Sequence, residues 1–294
     1  MMPIAMTLGI VFHNYLSILY FITPYLLFVM LFISYCKISL KDIKISRLHI
    51  LLLGIQLLGS IAVYKLLSLI DPVLAQGGMI CILAPTATSA IVITGMLGGN
   101  MVSLASFSLL SNLTVAISAP ILFVVMGYGS GVSFLDSLLV ICEKIFSILL
   151  LPFILTLVLR KVYPVAFNII SKKQSISFYL WSIALTVVTA KMVNFILEQN
   201  QINYNIEIAI ASVSAIICVL QFFTGRKLGR KFNDTVAGGQ GLGQKNTVLA
   251  IWMAQTYFNP VSAIGPGTYV LWQNIVNSYQ VWKNRRQQDT ERKI

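Results

Sequence analysis

The chain has 294 residues, of which 57% are hydrophobic and 10% charged, with a net charge of +12. A soluble domain carries about 25% charged residues and about 45–50% apolar ones, so a soluble enzyme and a disordered tail are both excluded. Apolar stretches near 20 residues recur along the whole sequence, which reads as one all-α bundle of membrane helices with no sizeable soluble domain.

In chain order, residues 1–13 are apolar but too few to cross about 30 Å of hydrocarbon. They read as a short first helix, either clipped or half-buried, and a misassigned start is an equal explanation. The N-terminus has neither the basic region nor the small-residue cleavage site of a secretory signal. Nine full spans are expected after it, at 15–36, 48–70, 73–97, 101–126, 135–159, 174–197, 204–225, 234–258 and 261–282. Numbered from the short first helix, these are segments two to ten.

The charges sort by side. Lys37, Lys41, Lys44 and Arg47 follow segment two, Arg160, Lys161, Lys172 and Lys173 follow segment six, and Arg226, Lys227, Arg230 and Lys231 follow segment eight. Lys283, Arg285, Arg286, Arg292 and Lys293 form the tail, whereas the opposite connections (71–72, 127–134, 198–203, 259–260) hold no Lys or Arg. The asymmetry puts both termini in the cytoplasm and explains the positive charge without nucleic acid. Tyr257, Trp252, Tyr279 and Trp282 are expected in interfacial belts. Cys36, Cys81, Cys142 and Cys218 lie inside apolar stretches without close spacing, so they read as packing residues. Lys65 and Lys191 are within snorkelling reach of the outer surface, Lys144 sits deeper beside Glu143, and His13 and His49 near span ends need no function.

Two segments are interrupted. Segment four carries Pro85 close to the midplane, followed by Thr86, Thr88, Ser89 and Thr94; a proline there removes a backbone donor. Segment nine carries Gly238, Gly239, Gly241 and Gly243, each costing about 1 kcal/mol against Ala in a helix, so the break is expected at Gly241 and Gly243. Gln244, Lys245 and Asn246 follow. The interruptions lie five segments apart, so two five-helix halves insert in opposite senses. That is an inverted repeat with two broken helices crossing at the site of a secondary transporter; the bland alternative is two unrelated kinks. Half-helix N-termini at such a crossing favour an anion. Ser108, Ser111 and Asn112 share one face of segment five, and Gln273, Asn274 and Asn277 lie on segment ten; these polar groups either glue helices together or line a pathway.

At these residues the chain resembles the bile acid:sodium symporter family, especially its bacterial ten-helix members. The similarity is carried by TPYLLFVMLFISYCKISLKDIK, KIFSILLLPFILTLVLRKV, GQKNTVLA and PVSAIGPGTYVLWQNIVNS. The resemblance implies one transporter domain over residues 1–294, with a panel of segments one, two, six and seven and a core of segments three to five and eight to ten. It implies substrate contacts at Thr88, Asn246 and Asn274, with Gln273 beside them. The family's sodium ligands transfer poorly: two become Ala90 and Ile91, a Glu becomes Gly241 and a Gln becomes Lys245. A one-residue shift puts Gln240 and Gln244 there instead, and neither alignment restores a carboxylate. Ser108 keeps the hydroxyl of a further ligand, Asn112 lies one turn on, and Gln56 matches a family Gln only with a gap.

The function expected is secondary transport of a small organic anion by alternating access across a bacterial inner membrane. The rivals are a sodium symporter with altered ligands and a membrane sensor that binds the solute without moving it. No enzyme is expected, since no acid pair, metal cluster or nucleophile motif is visible, and no cofactor is implied. Lys245, near the midplane and without an obvious acid partner, is expected either to stand in for a sodium ion or to carry a transported proton, or else to turn away and merely pack or snorkel.

Overall fold

A computed structural model of the chain describes residues 2–37, 43–87, 89–126, 134–172, 174–198 and 204–291. Among them the fold is all-α. The helices are α1 (Met2–Val11), α2 (His13–Leu16), α3 (Thr23–Lys37), α4 (Arg47–Leu67), α5 (Pro72–Leu83), α6 (Ser89–Met96) and α7 (Met101–Val125). After them come α8 (Phe134–Val162), α9 (Pro164–Lys172), α10 (Gln174–Glu198), α11 (Tyr204–Arg230), α12 (Thr235–Gly243), α13 (Thr247–Tyr257) and α14 (Ile264–Glu291). Tighter 3-10 turns at Ser17–Ile22 and Pro260–Ala263 lead into α3 and α14.

Four stretches of described residues are long and apolar enough to cross a bilayer: His13–Ile33, Arg47–Leu67, Met101–Val125 and Tyr204–Arg230. The expected spans at 73–97 and 234–258 are each two shorter helices. The charged tail does not leave the last helix at 282; it continues α14 to Glu291.

Local chemistry sets the boundaries. Ser46 and His49 form a capping box at the start of α4, with the His49 N–H donating to Ser46 Oγ and the Ser46 N–H donating to His49 Nδ1. Asp71 caps α5 by accepting from Val73 N (2.7 Å) and Leu74 N (2.9 Å), and Pro72 occupies the first turn, where its missing N–H costs nothing. α5 stops because Pro85 forces Ala84 into an extended conformation (φ −46°, ψ 135°).

The glycines of α12 require a correction. They do not break the helix: Gly238, Gly239 and Gly241 are helical, and Gly243 is its last residue. Their use is close packing. A Cβ on Gly238 would lie 2.4 Å from the Gly225 carbonyl oxygen, and one on Gly225 would lie 2.2 Å from that of Gly238. The backbone contact with α11 outweighs the propensity cost, and the chain leaves the helix at Gln244 (φ −96°, ψ 101°) instead.

The chain divides into two compact units. One comprises Met1–Lys41, Leu109–Asn203 and Ile251–Ala263; the other comprises Asp42–Ser108, Tyr204–Ala250 and Ile264–Ile294. Within the first, α1 lies so close on α10 that a Cβ at Gly9 would meet the Thr186 carbonyl at 2.6 Å, and His13 Nδ1 bonds Asn194 Oδ1 at 3.0 Å. Trp252 and Tyr257 are buried in this unit, edge-to-face at 5.7 Å, and not in an interfacial belt. Tyr279 and Trp282 of α14 are exposed, as a belt requires. In the second unit, Leu48, Leu52, Ala90, Leu104, Phe107, Ala237 and Leu242 form one apolar core, and Cys81, Ile82, Ile217, Cys218, Phe222 and Tyr269 form another. Cys36, Cys81 and Cys218 are buried free thiols.

Candidate solute and coupling site

Within the second unit the two breaks meet as short extended segments joined by one bridge. Thr86 and Lys245 pair in antiparallel fashion. The Asn246 N–H donates to the Pro85 carbonyl (2.8 Å), and the Ala87 N–H donates to the Gln244 carbonyl (3.0 Å). Each break thus satisfies main-chain groups that the other helix's interruption leaves over.

A helix that ends inside an apolar core also leaves its last carbonyls without partners. At α5, Cys81 O accepts from Gln221 Nε2 (3.1 Å), while Leu83 O and Ala84 O accept from Gln56 Nε2 (2.8 and 3.1 Å). Between them, Ile82 O accepts from the Lys245 ammonium at 2.8 Å. At α12, Gly241 O accepts from Thr86 Oγ1 (2.7 Å) and Gly243 O from the Tyr269 hydroxyl (2.9 Å). Ser108 Oγ donates to Thr86 O (3.2 Å). Side-chain donors, one of them a full positive charge, stand at the carbonyls that could otherwise face a cation.

Lys245 is 1% exposed, so it does not snorkel; the alternative that it merely packs stands beside the coupling roles. Its backbone is clamped by Gln273, whose Oε1 accepts from Lys245 N (2.9 Å) while Nε2 reaches Lys245 O (3.5 Å). Gln244 accepts at Oε1 from Asn277 Nδ2. Asn277 Oδ1 in turn accepts from Gln240 Nε2 (2.9 Å), and Gln240 and Arg226 both point donors at Gln280 Oε1 (3.5 and 3.1 Å). This amide chain runs from the break to Arg226 of α11.

The residues singled out from sequence distribute unevenly. Gln56, Ser108, Gln244, Lys245, Asn246 and Gln273 converge on the paired breaks, and Pro85 lies within one of them. Asn246 caps α13 by accepting from Leu249 N (3.3 Å). Asn274 is half-buried and donates back to Val270 O of its own helix (2.6 Å). Asn112 is buried in α7, in the part belonging to the first unit. Thr88 lies outside the described residues. Sequence reasoning missed Gln221 and Tyr269, which serve the carbonyls of both half-helices. The signal for Gln221 was a lone amide in an otherwise apolar span; Tyr269 looked like one more aromatic.

Both α6 and α13 begin immediately after the paired segment, at Ser89 and Thr247. Their N-termini carry partial positive charge, so the crossing combines two half-helix N-termini with one lysine. Among the described residues no group of three or more His, Cys, Asp and Glu side chains could hold a metal ion.

Comparison with known families decides the class: the SBF-like CPA transporter family matches over residues 12–275. The chain belongs to that family. It is a multi-pass membrane protein and a secondary transporter of a solute, not an enzyme, consistent with the resemblance carried by its last helix and its GQKNTVLA run. No curated protein matches the chain.

Proposed function

We propose that the protein carries a small organic anion across a bacterial inner membrane by alternating access, with the Lys245 ammonium as the positive charge that the anion meets at the crossing. The observation that carries this reading is the Lys245–Ile82 bond. A lysine tip sits at the end of α5, against a backbone carbonyl of the kind that coordinates cations in transporters with broken helices. A sodium ion there would compete with the ammonium for the same oxygen and suffer its repulsion. Transport is therefore sodium-independent in this proposal.

Asn246, Asn274, Gln273 and Thr88 are proposed to contact the solute, whose negative charge is favoured by the α6 and α13 N-termini. Ser108, Gln56 and Gln244 are proposed to hold the coupling region, and an inverted five-helix repeat with a panel and a core is proposed as its frame. The paired breaks and the family membership support this arrangement.

The test is counterflow in proteoliposomes loaded with unlabelled solute, screening labelled taurocholate, pyruvate and related anions. Exchange of label that survives replacement of sodium by choline supports the proposal. Strict sodium dependence overturns the role of Lys245 and favours a symporter with altered ligands. Saturable binding without exchange overturns transport and favours a sensor.

A further inference from the structure

We infer that Lys245 is the site at which a proton is bound and released in each transport cycle, so that the solute anion moves together with one proton. The inference rests on the anion-carrier reading and adds the coupling ion.

Three observations carry it. An ammonium has three N–H donors, and among the described residues the acceptor it meets is the single carbonyl of Ile82. No carboxylate approaches it among those residues: the titratable group beside it is the Cys81 thiol of α5, which in turn lies near the Cys218 thiol of α11 and the Tyr269 hydroxyl of α14. Tyr269 is already committed, donating to Gly243 O and accepting from Gln221 Nε2. Finally, Lys245 is next in sequence to Asn246, the cap of α13. A charge on it is therefore felt at the helix N-terminus proposed to take the anion.

The cycle follows by balance. With the amine protonated, the N-termini of α6 and α13 and the ammonium attract the anion together. With the anion gone, a lone buried charge served by one carbonyl is expensive, and the proton leaves to the side that received the anion. The empty carrier returns with the neutral amine. One monovalent anion and one proton cross per cycle, with no net charge moved. Binding is reciprocal: the anion strengthens proton binding by the factor by which the proton strengthens anion binding.

Two measurements test this. The first needs no solute. Thermal unfolding of the detergent-solubilised protein is compared with Lys245→Met from pH 6 to pH 9. The two proteins share every other titratable group, so a gap in melting temperature that changes across that range belongs to Lys245. A constant gap overturns the inference and leaves a fixed resident charge. If Lys245→Met does not fold, Lys245→Arg takes its place; arginine stays charged throughout, so the comparison keeps its meaning.

The second measurement uses the anion that exchanges in the counterflow screen. An imposed pH gradient, acid outside, drives wild-type accumulation by up to about tenfold per pH unit for one proton per anion. In Lys245→Arg, whose charge cannot leave, the pH gradient no longer drives accumulation. Accumulation unaffected by the gradient overturns proton coupling while leaving anion transport standing. Loss of sodium-independent exchange in the wild type would instead overturn the reading beneath it.

Discussion

Gln56 and Gln221 show what single side chains contribute at the crossing. Each sends one amide N–H group into the end of α5, and each is buried. Replacing Gln56 by Ala strips the donor from two carbonyls that no solvent reaches. An unmet buried acceptor costs about 1–3 kcal/mol, so Gln56→Ala lowers the melting temperature of the purified protein more than substitution of exposed Leu58 on the same helix. An equal or smaller loss at Gln56 would mean that its bonds to Leu83 and Ala84 are replaced by other donors. Much of this chemistry was legible in the sequence, because a Gln or Lys inside an apolar span stands out by type. Which atoms it would serve was not legible. Lys245 could equally have snorkelled, and its direction is fixed only by where the end of α5 lies.

At the scale of the element, Pro85 and the glycine run of α12 teach opposite lessons. The proline acts locally, through its own missing donor and its constraint on Ala84, so one residue predicts the break. The glycines act through a partner 13 residues away in sequence at the closest pair, and local propensity then points the wrong way. Their role is settled by the approach of the Gly225 and Gly238 backbones, a tertiary fact. The consequence is a contrast between two Gly→Ala changes. At Gly238 the new methyl meets a main-chain oxygen that cannot rotate aside, so α11 and α12 must separate; overpacking of this kind costs about 1–3 kcal/mol. At Gly54 of α4 a Cβ meets nothing within 4 Å, and the helix gains about 1 kcal/mol of propensity. Melting curves of the two variants should therefore move in opposite directions from the wild type. Matching shifts would refute the packing account of α12.

For the molecule as a whole, apolar runs and basic loops carried the class: both are sums over many residues and survive errors at individual boundaries. Orientation rests on the same kind of sum, and it yields a sharp expectation. Lys283, Arg285 and Arg286 lie on α14 itself, so the positive tail is an extension of the last helix and reports the side on which that helix ends. The basic loops after segments two, six and eight agree with it, and the cytoplasm is the side that retains such clusters. A cysteine introduced as Thr290→Cys tests this directly. Cys36, Cys81 and Cys218 are buried thiols and Cys142 is half-buried, so Cys142→Ser is the background and that protein without the new cysteine supplies the baseline. In intact spheroplasts an impermeant maleimide should leave Thr290→Cys at that baseline, and permeabilisation should release full labelling. Labelling before permeabilisation would reverse the orientation.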